Sequence, residues 1–93
     1  MPRFKIAHIS EQGENMVIIP LNAAFGGKSN AEQQAAIREF QLRTQSAGLS
    51  GTVVPVWEIN GRMAFIAPIN WHPFFKSLPM DFVYRNLNWE ICW

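Results

Sequence analysis

The chain has few of the residues that usually point to a chemical function. It holds one cysteine, Cys92, among 93 residues, which excludes an internal disulfide and most zinc-binding patterns. Charged residues make up 16% of the chain, against about 25% in a typical soluble domain. Since 48% of the residues are apolar, there are few polar side chains to cover a small molecule. A homodimer or a ligand groove is therefore expected more than in an average chain.

An excess of positive charge is also absent. Eight lysines and arginines oppose seven aspartates and glutamates, for a net charge of +1. The electrostatic attraction that dominates nucleic-acid binding is therefore missing, and neither nucleic acid nor a membrane is expected as a partner. No apolar run approaches the roughly 20 residues of a membrane span, and the first residues lack the apolar segment of a secretory leader. We expect a cytoplasmic protein without a cofactor.

Residues 52–69, with the sequence TVVPVWEINGRMAFIAPI, are predicted to form the central hairpin of the fold. Two apolar strands flank Asn60-Gly61, the dipeptide most typical of a tight hairpin turn. A two-residue loop would place Pro55, which has no N–H, at a hydrogen-bonded position of the ladder. A three-residue loop that begins at Ile59 avoids this loss, and it is the register we predict. The nitrogen of Pro55 would then point towards an open edge or a bulge.

This register predicts a hairpin with two apolar faces. One face is aliphatic and comprises Val54, Val56, Ala64 and Ile66, whereas the other is bulky and comprises Pro55, Trp57, Met63 and Phe65. A sheet with one face in water would alternate apolar and polar residues, and this hairpin does not. Both faces are therefore expected to be covered.

The one long helix is predicted between Ser29 and Ala47. Ser29 and Glu32 match a capping box, and Gly48 suits the left-handed residue that ends a helix. At 100° per residue, a narrow stripe faces the sheet, and it comprises Gln33, Ala36, Ile37, Phe40, Thr44 and Ala47. Because the side chains of this stripe are mostly small, we predict that the helix lies on the aliphatic face of the hairpin.

The remaining elements follow from periodicity and from proline. Alternating apolar residues predict strands at 3–9, 16–21 and 89–93, and the prolines at 73 and 79 predict two short helices. The element order is β-β-α-β-β-short helices-β. It predicts a single α+β domain over residues 1–93, with a two-layer, mostly antiparallel sheet of about five strands and one main helix on one face.

The segment Gly26-Gly27-Lys28-Ser29 is the first candidate site. Backbone N–H groups and a lysine at the start of a helix favour an anion. The nucleotide-binding pattern GxxxxGK[ST] also requires a glycine at position 22, where this chain has Asn22. The alternatives are therefore a simple anion site and a flexible loop that leads into a capped helix.

The segment WHPFF, residues 71–75, is the second candidate. Aromatic side chains around a histidine and a proline are typical of pockets and peptide grooves. Together with the bulky hairpin face they predict a binding surface of Trp57, Phe65, Trp71, His72, Phe74 and Phe75. The structural alternative is that these rings only cover the hairpin face while His72 caps a turn.

Patterns for catalysis and for metal binding are weak. His72 could act with Asp81 or with a carboxylate of the 11–14 loop, but no local signature brings such partners together. No pair of ligands has the spacing of a metal site, so no metal is predicted.

The sequence therefore predicts a non-catalytic binding or assembly module. We expect it to form a homodimer, or to bind a protein or peptide partner, through the aromatic hairpin face or a sheet edge. The alternative is a small enzyme that uses His72 with a nearby carboxylate.

Overall fold

The computed structural model describes residues 3–92, and its five strands form one sheet. The strands are β1 (Arg3–Glu11), β2 (Glu14–Pro20), β3 (Thr52–Ile59), β4 (Arg62–Phe65) and β5 (Trp89–Cys92). Their order is β4-β3-β2-β1-β5, and every neighbouring pair is antiparallel except β2 and β3. The predicted α+β fold with a mostly antiparallel sheet is confirmed. The last predicted strand extends to Trp93, which lies outside the described residues.

Helices lie on both faces of this sheet. The long helix α1 (Asn30–Ser46) joins the parallel strands β2 and β3, because parallel neighbours need a long crossover connection. Two short helices, α2 (His72–Lys76) and α3 (Met80–Arg85), follow β4. Short 3-10 helices precede α1 and α2, at Ala23–Gly27 and Ile69–Trp71.

Both ends of α1 are formed by the residues that the sequence predicts. The hydroxyl of Ser29 accepts from the N–H of Glu32, and the Glu32 carboxylate accepts from the N–H of Ser29. At the other end Gly48 has a φ of 84°, and the N–H of Leu49 donates to the carbonyl of Thr44. These bonds satisfy main-chain groups that a helix leaves unpaired at its ends. The limits of α1 therefore have local causes.

The central hairpin has a two-residue turn, so the predicted three-residue register is wrong. Ile59 pairs with Arg62, and Asn60-Gly61 between them has φ angles of 51° and 76°, typical of the type I′ turn that suits a twisted hairpin. Pro55 costs little in this register because β4 ends one residue before the position opposite it. The carbonyl of Pro55 still accepts from the N–H of Ile66 at 3.2 Å. The only bond lost is the one that an N–H at position 55 would donate to the carbonyl of Ile66.

The shift of one residue exchanges the two faces of β4, since neighbouring side chains of a strand point to opposite sides. Met63 and Phe65 pack in one cluster with Val54 and Val56. Trp57 points to the other face of the sheet, against the 3-10 helix that precedes α1. The prediction that Trp57 shares a face with Met63 and Phe65 is therefore wrong.

The long helix covers the face opposite to the predicted one. Phe40 of α1 packs in a cluster with Val53 of β3, whereas Val54 packs with Phe75 and Val83 of the short helices. Because β2 and β3 are parallel, α1 is the crossover connection between them. In the observed register the short helices cover the face that carries Val54. The expectation that both faces are covered is confirmed.

The stripe predicted on α1 is correct at its centre and wrong at its end. Phe40 and Thr44 are buried, but Ala47 is exposed. Ala47 is the residue at which the chain leaves the helix, and Leu49 enters the core in its place. Helical periodicity cannot be extended past the residue where the helix ends.

Asn88 joins the end of the described chain to its beginning. Its N–H donates to the carbonyl of Ile6 at 2.9 Å. Its side-chain amide accepts from the N–H of His8 and donates to the carbonyl of His8, each at 2.9 Å. One side chain therefore satisfies two main-chain groups of β1 next to the first residue of β5.

We predict that Asn88→Ala lowers the free energy of unfolding by about 1–2 kcal/mol, because each of its two side-chain bonds contributes roughly 0.5–1.5 kcal/mol. Urea unfolding of the purified protein measures this difference. Asn70→Ala is the matched control, since Asn70 is exposed as Asn88 is, but its side chain forms no hydrogen bond among the described residues. Its loss should change stability by under about 0.5 kcal/mol. Equal stability of the two variants would contradict the role given to Asn88.

Candidate functional site

The sheet divides the aromatic residues that the sequence places in one site. Phe65, Trp71, Phe74 and Phe75 lie on the face covered by α2 and α3, and the ring of His72 meets Phe65 edge-on at 5.2 Å. Trp57 is on the other face. The structure therefore brings five of the six predicted binding residues together and separates the sixth.

These five residues are mainly a cover for the sheet. Trp71 and Phe75 are buried, and Phe75 meets both Phe65 and Phe74, at centroid distances of 5.4 and 5.2 Å. Burial of one such ring stabilises the fold by about 1.5–3 kcal/mol. Phe65 and Phe74 remain partly exposed, so they are the rings of this cluster that a partner would contact.

His72 closes the loop between β4 and α2. Its Nε2 donates to the carbonyl of Ala67 at 3.0 Å. Asp81, the first carboxylate suggested as its partner, instead pairs with Arg85. A general base needs a group to orient it and a proton within hydrogen-bond reach, and among the described residues no carboxylate is hydrogen-bonded to His72. This geometry is that of a residue that holds a turn.

Trp57 has its own packing partners on the α1 face. Its ring lies against Phe25, with centroids 5.2 Å apart, and it approaches the main chain of Gly26. A Cβ built on Gly26 would lie 2.5 Å from the indole Nε1, so only glycine allows this contact. The Nε1 atom is buried, and no hydrogen-bond partner for it lies among the described residues. Gly26 is therefore required by packing.

The segment Gly26 to Ser29 already has a carboxylate beside it. Hydrogen bonds from Ser29, first from its main chain and then from its hydroxyl, lower the pKa of Glu32, and the charge of Lys28 lowers it further. The carboxylate of Glu32 thus lies at the helix N-terminus, where a bound anion would be stabilised. This arrangement favours the capped-helix alternative, and anion binding at this segment stays a prediction.

β4 forms one of the two edges of the sheet, and β5 forms the other. An open edge or a bulge is predicted at Pro55, and this prediction is wrong because β3 lies between β2 and β4. The N–H of Ile66 donates towards β3, to the carbonyl of Pro55. In an antiparallel pair the main-chain groups point to the neighbouring strand at every second residue. The main-chain N–H and C=O groups of Met63 and Phe65 therefore point away from the sheet, and no strand within residues 3–92 pairs with them.

A groove of about 760 Å³ lies beside this edge. Its apolar side chains come from β4 and from the segment that joins α2 to α3, and they are Met63, Phe65, Leu78, Pro79 and Met80. Its charged side chains are Glu58, Arg62, Lys76 and Asp81. An unpaired strand next to a groove is suited to another extended chain, which would bond to the edge and place alternate side chains in the groove.

The sequence predicts a sheet edge and Phe65 as binding features, but its register places Met63 and Phe65 on the face of Trp57 and its open edge at Pro55. The signal was present in Asn60-Gly61, since this dipeptide favours a two-residue turn. That turn sets which residues of β3 lie opposite those of β4, and it therefore places Met63 and Phe65 on the face of Val54 and Val56.

Two further observations concern metal ligands and membrane-spanning helices. In the part of the chain that the structure describes, no group of three His, Cys, Asp or Glu side chains is placed to hold a metal ion. Over the same residues, no helix is both long enough and apolar enough to cross a membrane. Comparisons of the chain with protein-family models, curated proteins and solved structures found no match.

We predict that Gly26→Ala destabilises the protein by about 1–3 kcal/mol, the usual cost of overpacking, because the new methyl would overlap the Trp57 indole. Gly27→Ala is the matched control, since a Cβ at Gly27 has no neighbour within 4 Å. Thermal unfolding followed by tryptophan fluorescence measures both variants. Similar unfolding temperatures for the two would show that the indole is not tightly packed against position 26.

We predict that Ser29→Ala destabilises α1 by about 1 kcal/mol and raises the pKa of Glu32 towards its ordinary value. A carboxylate whose pKa is lowered by folding stabilises the folded state above that ordinary value, here about 4.5, and loses this effect as pH falls through the folded value. The wild type should therefore lose more stability than Ser29→Ala on acidification through this range. Carboxyl NMR titration measures the pKa, and Ser29→Thr, which keeps a hydroxyl, should behave as the wild type does.

Proposed function

We propose that the protein is a non-catalytic assembly module that forms a homodimer through the free edge of β4. The observation that supports this proposal is the outward direction of the main-chain groups of Met63 and Phe65 beside a groove that five apolar side chains help to line. Exposed strand edges of this kind are templates for pairing with another strand. The partner strand is β4 of a second copy of the chain.

This edge is complementary to itself. In an antiparallel pair of β4 strands centred on Ala64, Met63 of each copy lies opposite Phe65 of its partner. Both residues direct their main-chain groups outward, so the two pairs exchange four hydrogen bonds. A two-fold interface requires one patch to fit itself, and this register meets that condition. It also places a thioether beside an aromatic ring, a favourable contact.

The groove fits the side chains that such a pair would bring. Phe65 and Met63 point to the face of α2 and α3, so the partner's copies of these side chains would enter on that same face. They would cover Leu78, which lines the groove and is partly exposed. This contact would remove apolar surface from water on both copies, as expected for a chain with so few charges.

The charges of the groove do not oppose this contact. Two acidic residues, Glu58 and Asp81, and two basic residues, Arg62 and Lys76, line it. Identical surfaces with a net charge would repel one another, and this one is balanced. In the proposed register Arg62 lies opposite Ile66 of the partner, so no like charges face each other across the strands.

The alternative of a small enzyme that uses His72 has no comparable support. Its ring donates to a main-chain carbonyl, and Asp81 is held by Arg85. We propose a cytoplasmic location as part of the same function, since the exposed free thiol of Cys92 is typical of a reducing compartment.

We predict that Met63→Pro abolishes dimerisation. Proline removes the outward N–H that the partner strand needs, yet an edge strand tolerates proline where its N–H faces solvent. Met63→Ala shortens the side chain but keeps this N–H, so it should weaken the dimer without abolishing it. Light scattering during size-exclusion chromatography, over a range of protein concentrations, measures the mass of each variant.

Hydrogen exchange locates the interface in the same samples. On raising the protein concentration, the amides of Met63 and Phe65 should become protected, whereas those of Arg62 and Ala64 are already bonded to β3 and should change little. A wild type that is monomeric at every concentration would end the proposal. So would a dimer in which residues 63 and 65 gain no protection.

A further inference from the structure

A second cavity lies on the opposite side of the sheet, where the 3-10 helix Ala23–Gly27 meets α1. Its volume is about 280 Å³. Its walls are almost wholly carbon, and they are formed mainly by Phe4, Leu21, Ala24, Phe25, Ala36 and Phe40. Of the described residues that line it, Lys28 alone is charged. It shares no lining residue with the groove beside β4.

We propose that this cleft binds a small aliphatic carboxylate. The hydrocarbon chain lies between Phe25 and Phe40, and the carboxylate lies at Lys28. This site is independent of the proposed homodimer, because the two surfaces are formed by different elements on opposite faces of the sheet.

The size of the cleft sets the length of the ligand. A water-sized group occupies about 30 Å³, so a cleft of about 280 Å³ that is open to solvent on one side encloses at most about nine such groups. An eight-carbon chain fits this space. The space exists because alanine stands at positions 24 and 36, where a larger side chain would fill it.

The composition of the walls selects the class of ligand. A peptide, a sugar or a nucleotide in this cleft would lose the hydration of its polar groups and gain almost no hydrogen bonds in return, which is unfavourable. An alkyl chain has no such groups. The walls therefore favour a hydrocarbon over a polar polymer.

Lys28 favours a ligand that carries a negative charge. Among the described residues, Lys28 forms no ion pair within 4.0 Å, and its ammonium group has three donors to offer. Glu32 is the nearby carboxylate that acts on it, but an oxygen of Glu32 is held by the N–H of Ser29 at 3.1 Å. Lys28 can therefore pair with the head group of a chain in the cleft.

The test is a titration of ¹⁵N-labelled full-length protein with octanoate. The indole N–H of Trp57 is the reporter, because its ring packs against Phe25 in the wall. Saturable shifts at Trp57 and at the amides of residues 23–28 are expected. Affinity should rise by up to about fourfold, the value for a fully buried CH₂, for each added methylene from butanoate to octanoate and then level off once the cleft is full.

Two pairs of variants distinguish the contribution of the ligand's hydrocarbon chain to binding from that of its carboxylate. Ala36→Leu fills the cleft and should weaken octanoate binding at least tenfold, whereas Ala35→Leu changes the exposed neighbour on α1 and should have no effect. Ala24→Leu fills the cleft from its other wall and serves if Ala36→Leu does not fold. Lys28→Gln should weaken octanoate binding about threefold and leave octanol binding unchanged. Lys5→Gln is its control, since Lys5 is exposed and lines neither the cleft nor the groove.

Several results would overturn the proposal. They are the absence of saturable shifts, equal binding by Ala36→Leu and Ala35→Leu, and an equal effect of Lys28→Gln on octanoate and octanol. A change of oligomeric state in Ala36→Leu but not in Ala35→Leu would also overturn it, because the cleft would then hold a polypeptide.

Discussion

A sheet that carries apolar side chains on both faces is stable in water only when both faces are covered. In this protein β3 imposes that condition, since Val53 points to one face and Val54 to the other, and both are buried. The long crossover helix α1 covers the first face and the short helices α2 and α3 cover the second. The chain after β4 is therefore part of the core, although its helices have only five and six residues.

The same condition explains where the chain leaves surface for other molecules. Each helical layer ends before the sheet or the neighbouring loop is fully covered. On the α2 and α3 side, this leaves the edge of β4 with its groove. On the α1 side, the small residues Ala24 and Ala36 leave a cleft beside Phe25. The two surfaces differ in chemistry: the first offers main-chain hydrogen bonds, and the second offers almost only carbon.

The candidate site was predictable in part. The aromatic residues of the WHPFF segment do gather with Phe65, as their composition suggests. Trp57 was assigned to them because the register was argued from the bond that Pro55 cannot make. The turn preference of Asn60-Gly61 outweighed that bond, because β4 stops before its absence matters. One residue of register then separated Trp57 from Met63 and Phe65, which lie on the opposite face of the sheet.

By itself, the sequence determined the features whose causes lie within a few residues. The capping box of Ser29 and Glu32, the end of α1 at Gly48 and the turn at Asn60-Gly61 are of this kind, because each depends on the conformations that those residues allow. Only the tertiary structure decided that β2 pairs in parallel with β3, which helix covers which face, and that Trp57 packs on Gly26. Periodicity shows that a surface is apolar, but it does not show which of several apolar surfaces of similar size packs against which helix. Their relative fit exists only once all of them are packed together.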